Sequence, residues 1–148
     1  MKPTITWIVV ADGARARIFV NRGPGKGIEL SAHELSAEHG RTSEMVRDGL
    51  YSTHESVGPA RHAIEPKSDP HQRLKRRFIE RLAQMLDQSA AEKAFDRFVL
   101  VAPPKVLGDF RKDMSKHLQP LLLSEVAKDL TKASATEVSD HLARSMVI

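Results

Sequence analysis

The sequence contains no cysteine, and this absence excludes several kinds of chemistry. Disulfide frameworks, thiolate zinc sites, iron–sulfur clusters and thiol nucleophiles all require cysteine side chains. Aromatic residues are also scarce, at 5% of the 148 residues. Stacking of bases on aromatic side chains is therefore not expected to dominate any contact with nucleic acid.

Long apolar runs are missing as well. The first run ends after residue 11, where Asp12-Gly13 follows it. A membrane span needs about 20 apolar residues, and a secretory signal needs a longer apolar region and a small-residue cleavage site. We therefore expect a cytoplasmic protein without a membrane span.

Neither sign of charge is in large excess. The chain carries 23 Lys and Arg against 19 Asp and Glu, a net charge of +4 with the histidines neutral. Such a mild excess does not by itself indicate a nucleic-acid partner. The placement of the basic residues along the chain is more informative than their number.

The first 36 residues predict a three-stranded antiparallel meander. Residues 4–11 have the β-branched composition of a strand, and Asp12-Gly13 is a common hairpin turn. In the second strand, Arg15 and Arg17 alternate with apolar residues, which places both arginines on one face. Residues 28–33 alternate in the same way and predict the third strand.

Residues 36–70 are poor in large apolar side chains and rich in Gly, Ser, His and charged residues. A loop of this length is unusual inside a compact domain, and such loops are commonly functional or disordered. We expect a mobile insertion that orders on a partner, with a solvated loop of no role as the alternative. Its histidines lack the i, i+4 spacing of a zinc-binding helix, so we predict neither a metal site nor a cofactor.

A helix with one basic face is predicted after this segment. Asp69 suits the N-cap and Pro70 the first helical position, and the helix continues to about Gln88. At about 100° per residue, its apolar side chains share one arc and four arginines share the opposite arc. These four, which we call the basic stripe, are Arg73, Arg76, Arg77 and Arg81.

The basic stripe is suited to contacts with phosphate groups, which guanidinium groups bind through paired hydrogen bonds. Arg15 and Arg17 on the hairpin, and Lys67 before the helix, would extend this surface. The alternative is a solvated polar face with surface ion pairs, which contribute little.

The rest of the chain alternates strands and helices. Residues 95–102 predict a buried central strand, Pro104 begins a helix that ends by Leu118, and residues 124–128 predict another strand. A capping box at Ser134 begins the last helix. The order β-β-β-α-β-α-β-α predicts an α/β fold with a ribonuclease-H-like mixed sheet, in a single domain over residues 1–148.

Four short motifs together resemble the bacterial host-attachment family, whose members are described as proteins required for attachment to host cells. The motifs read WIVVADGARAR (7–17), AIEPKSDPH (63–71), LVAPP (100–104) and KDLT (128–131). The resemblance implies a role in attachment, and it implies no particular chemistry.

A more distant similarity concerns the order of elements: the meander, then His39-Gly40-Arg41, then a basic helix. This layout is similar to the middle domain of archaeal and eukaryotic peptide-release factors, in which a Gly-Gly-Gln motif follows His-Gly-Arg. Here Thr42-Ser43-Glu44 follows instead, so peptidyl-tRNA hydrolysis is not implied. The resemblance implies contact with the ribosome, with His39, Gly40 and Arg41 as partner-binding residues.

These patterns predict a non-enzymatic binding module of the host-attachment family that docks on RNA or the ribosome through the basic stripe. Two alternatives stay open. One is a regulatory or interaction protein that acts in attachment and binds another protein. The other is a metal-dependent hydrolase, which would need several converging carboxylates such as Asp12 and Asp129.

Overall fold

The structure, a computed structural model, describes residues 2–37 and 69–148. Nearly all of the predicted insertion 36–70 lies outside the described residues, and so do Lys67 and the predicted partner-binding residues His39, Gly40 and Arg41. Only the ends of the insertion are described. Ser36 is the last residue of a strand and Pro70 is the first residue of a helix.

Five strands and three α-helices make up the described residues. The strands are β1 (Thr6–Ala11), β2 (Arg15–Asn21), β3 (Glu29–Ser36), β4 (Arg97–Ala102) and β5 (Leu122–Ala127). The helices are α1 (Pro70–Ala91), α2 (Pro104–Asp113) and α3 (Ala135–Leu142), with a short 3₁₀ turn at Gln119–Leu121. Each element predicted in this part of the chain is present, with shifted ends.

The strands form one mixed sheet in the order β3-β2-β1-β4-β5. β1 is antiparallel to β2, where Ile8 lies opposite Phe19, and parallel to β4, where Ile8 lies opposite Val99. β3 is antiparallel to β2, and β5 is parallel to β4. The predicted mixed α/β sheet, with β4 as a buried central strand, is confirmed.

Helices cover both faces of this sheet. Val9 and Leu100 pack with the apolar side of α1 and α2, while Ile8 packs with Val138 and Leu142 of α3. Successive residues of a strand point to opposite faces. Because both faces are buried, β1 and β4 are continuous apolar runs instead of alternating patterns.

Two predicted helix starts are confirmed. The Asp69 side chain accepts a hydrogen bond from the His71 amide at 2.9 Å at the start of α1. At the start of α3, Ser134 and Glu137 form both hydrogen bonds of the capping box.

Helix α2 ends at Asp113, within the predicted limit of Leu118 and before the Gln119-Pro120 break. The Ser115 hydroxyl donates to Asp87 of α1 at 2.6 Å and accepts from the Leu118 amide at 3.0 Å. This tertiary hydrogen bond favours a turn at Ser115, and no local pattern encodes it.

Candidate functional site

Polar side chains meet at the edge of the sheet where β1 and β5 end. The two strands both run parallel to β4, so their carboxyl ends lie at the same edge. Asp12 follows β1, and its Oδ1 accepts from the amides of Ala14 (2.7 Å) and Arg15 (2.8 Å). This Asx turn, a favoured geometry for Asp, begins the hairpin that carries Arg15 and Arg17.

The loop after β5, residues 128–134, reaches this hairpin. The Thr131 hydroxyl donates to Asp129 Oδ1 at 2.6 Å and lies 3.4 Å from Asp12 Oδ2. The Thr131 amide also donates to Asp129 Oδ1, at 3.1 Å. These hydrogen bonds from Thr131 hold the pKa of the Asp129 carboxyl below its usual value.

Two arginines hold the same loop from the other side. Arg17 Nη2 donates to the carbonyls of Leu130 (3.1 Å) and Ala133 (2.6 Å), and Arg15 Nη2 donates to the carbonyl of Thr131 (3.3 Å). Both arginines therefore point to one face of β2, as the alternation predicts. Their guanidinium groups connect parts of the chain that are more than a hundred residues apart.

Arg17 lies in an electrostatically unfavourable place for a cation. Burial lowers the pKa of Arg17 below its ordinary value, the charge of Arg15 lowers it further, and Glu34 raises it. The guanidinium carbon lies 5.2 Å from the centre of the Phe19 ring. Among the described residues, the buried Nε of Arg17 has no hydrogen-bond acceptor.

A cavity of about 830 Å³ lies beside these arginines. Four cationic side chains line it, from β2, α1 and the loop after β5: Arg15, Arg17, Arg81 and Lys132. The described lining includes one carboxylate, Glu34, which lies opposite Arg17 on β3. We call this space the basic cavity.

The four arginines of the basic stripe lie in three different environments. Arg81 lines the basic cavity, whereas Arg73 and Arg77 are exposed. Arg76 binds Asp113 of α2 through two hydrogen bonds of 3.2 Å each, and it lies 3.9 Å from Glu80. Arg76 therefore joins two helices and is a poor candidate for contact with a partner.

A second cavity, of about 800 Å³, lies between the first turns of α1 and α2. Lys75 and Lys105 line it together with Asp12 and Asp109, so opposite charges offset one another there. Gly13 permits the close approach of Lys75, because a Cβ atom at Gly13 would lie 2.9 Å from Lys75 Cγ.

Sequence reasoning found part of this site and missed part of it. Arg15, Arg17 and Arg81 were predicted as nucleic-acid-binding residues, a role that stays a prediction, and the structure places all three beside the basic cavity. Lys132 was missed, because a lone lysine in a loop carries no local signal.

Asp12 and Asp129 do converge on Thr131, yet residues 2–37 and 69–148 hold no group of three or more acidic or histidine side chains suited to a metal ion.

The hydrogen bonds of Asp129 lead to a prediction about acid stability. We expect Asp129→Ala to lower the free energy of unfolding at pH 7 by at most about 1 kcal/mol, because the carboxylate is exposed and solvent screens it. The folded-state pKa is lowered from 3.8, so this stabilisation is complete above pH 3.8 and is lost as the pH falls through the lowered value. Urea unfolding of both proteins at pH 7 and at a pH well below 3.8 measures the difference in their free energies of unfolding. If the difference in free energy of unfolding persists or widens in acid, the stabilising role of the Asp129 carboxylate is contradicted.

Comparisons with known proteins supply a family. A family model described as "Protein required for attachment to host cells" matches residues 7–142. Among solved structures, the chain is similar to the archaeal translation termination factor aRF1, at 14% identity and a TM-score of 0.41. The match covers 96% of this chain and 39% of the archaeal chain, so this chain spans about two fifths of that protein. No curated protein matches.

Within residues 2–37 and 69–148, no helix has the length and apolar character needed to cross a membrane.

Proposed function

The chain belongs to the family of proteins required for attachment to host cells, and from this premise we propose that it is a non-enzymatic module that docks on RNA. The family suggests the role in host attachment. The RNA is contacted along its phosphate backbone by the outward face of α1, through Arg73 and Arg77. We also infer a ribonuclease-H-like layout of the sheet, which the strand order β3-β2-β1-β4-β5 supports.

The observation that carries this proposal is the exposed start of α1. Arg73 and Arg77 lie one helical turn apart and are both exposed, and the first turn of α1 holds no acidic residue. Side chains four residues apart on a helix are neighbours. Two neighbouring guanidinium groups can therefore contact successive phosphates of one strand.

The described aromatic side chains support a contact with the backbone and not with the bases. All six tryptophan and phenylalanine side chains of the chain are buried. Stacking of bases needs an accessible aromatic face, and none of these six supplies one. Binding should therefore be tolerant of sequence and sensitive to salt.

A double charge reversal tests the proposal. We expect Arg73→Glu with Arg77→Glu to weaken binding of a labelled single-stranded RNA by about tenfold or more. The slope of log binding constant against log salt concentration should fall in magnitude by about 1.4. Fluorescence anisotropy at several salt concentrations measures both quantities. Co-sedimentation with ribosomes should fall in parallel.

The matched control reverses the same amount of charge elsewhere. Lys128→Glu with Arg144→Glu changes two exposed side chains that are not part of α1. This control should retain RNA binding to within about twofold. An equal loss in the two variants, or no RNA binding by the unaltered chain at low salt, would refute docking through α1.

A further inference from the structure

The basic cavity has the size and lining of a site for a small anion. Its volume of about 830 Å³ falls within the range of ligand pockets in proteins, about 300–1,000 Å³. Its lining comes from separate parts of the chain: β2, the end of β3, α1 and the loop after β5. We propose that this cavity binds a small ligand through a terminal phosphate or pyrophosphate group, at a site separate from the RNA-docking face of α1.

The charge of the lining favours a highly charged ligand. Four cationic side chains face one lining carboxylate, Glu34. A phosphomonoester carries about −1.5 to −2 charges at pH 7, whereas each internal phosphate of RNA carries one. The surplus of positive charge therefore matches a terminal phosphate or a pyrophosphate better than an internal phosphodiester.

The arginines are held in place before any ligand arrives. Arg17 is held by two backbone carbonyls and Arg15 by one, and in each case the contact uses only Nη2 of the guanidinium. The remaining guanidinium nitrogens of Arg15, which is exposed, can donate to a ligand. A preorganised donor loses little side-chain entropy on binding, which favours affinity.

Arg17 also has an unfavourable electrostatic environment that an anion would relieve. Burial and the neighbouring charge of Arg15 lower the pKa of Arg17, which shows that its positive charge is incompletely compensated. An anion beside the two guanidinium groups would stabilise the charged form of Arg17. Arg17 contributes chiefly its charge, since its Nε is buried.

Pyrophosphate binding to the full chain tests the proposal. Isothermal titration calorimetry at low salt should show saturable binding. Lys132→Gln should weaken it by about tenfold, because a cation that lines the cavity is removed. Glu34→Gln should strengthen it by about threefold, because the one lining carboxylate is neutralised.

Lys128→Gln is the matched control for Lys132→Gln. Lys128 is exposed, lies at the start of the same loop, and is not among the lining residues of the basic cavity. This control should change the affinity by less than about twofold. No saturable binding at millimolar pyrophosphate, or an equal loss in the two lysine variants, would overturn the proposal.

A competition experiment separates this site from the RNA-docking face. Saturating pyrophosphate should weaken RNA binding only modestly, by less than about tenfold, because Arg81 of the cavity lies one helical turn from Arg77. Lys132→Gln should bind RNA as the unaltered chain does. Complete displacement of RNA by saturating pyrophosphate would overturn the claim of two sites. If pyrophosphate binds and RNA does not, the cavity proposal stands and the RNA proposal fails.

Discussion

Replacing Phe98 by alanine should lower the free energy of unfolding by about 3–5 kcal/mol, the largest effect that we expect from a single substitution. Phe98 is fully buried on β4. Its ring lies 5.8 Å from the ring of Phe95 and 6.4 Å from that of Phe110, both in edge-to-face geometry. The substitution removes these contacts and leaves a cavity between the sheet and α2.

Urea unfolding followed by circular dichroism measures the loss. The matched control is Leu123→Ala on the edge strand β5, a residue with a relative solvent exposure of 42%. We expect this control to cost less than about 1 kcal/mol. If Phe98→Ala is not soluble enough for the measurement, Phe98→Leu provides a folded variant with a smaller loss of stability, about 1–2 kcal/mol. A loss below about 1 kcal/mol for Phe98→Ala would contradict the packing of this core.

Replacing Arg17 by methionine should lower the free energy of unfolding by about 2–3 kcal/mol and loosen the loop of residues 128–134. Methionine keeps much of the apolar stem but removes the guanidinium. The carbonyls of Leu130 and Ala133 then lose the donor that holds them. Hydrogen bonds to charged groups contribute about 1.5–3 kcal/mol, and an acceptor left without a partner adds a desolvation cost.

Limited trypsin digestion reports on the loop directly, since Lys128 and Lys132 both lie within it. Cleavage at these lysines should be faster in Arg17→Met than in the unaltered chain, under conditions where both are folded. Arg15→Met is the control, because Arg15 is exposed and makes one longer contact, 3.3 Å to the Thr131 carbonyl. Equal stability losses and equal cleavage rates in the two variants would show that Arg17 has no special role.

Local sequence patterns were sufficient to predict most of the secondary structure. The apolar arc of α1, the hairpin turn at Asp12-Gly13 and the capping box at Ser134 are all properties of neighbouring residues, and the structure confirms them. The buried strand β4 was also predictable, because a continuous apolar run is typical of a strand with both faces covered.

The candidate site was predictable only in part, because its geometry depends on distant contacts. The basic stripe places Arg76 and Arg81 together with Arg73 and Arg77 on one arc. In the structure, Asp113 of α2 binds Arg76, while Arg81 lines the basic cavity. Helical periodicity gives the direction of a side chain from its own helix axis, and it does not show which neighbouring element a long arginine reaches.

The amino-acid sequence by itself determined the order of the strands and helices and the apolar faces through which they pack. It also determined on which face of β2 and α1 the arginines lie. Those properties follow from periodicity and capping, which act over a few residues. Only the tertiary structure decided that the loop carrying Lys132 lies against Arg15 and Arg17. That contact joins residues more than a hundred positions apart, so it arises when β5 adds to the sheet beside β4 and brings the loop to the edge where β1 ends.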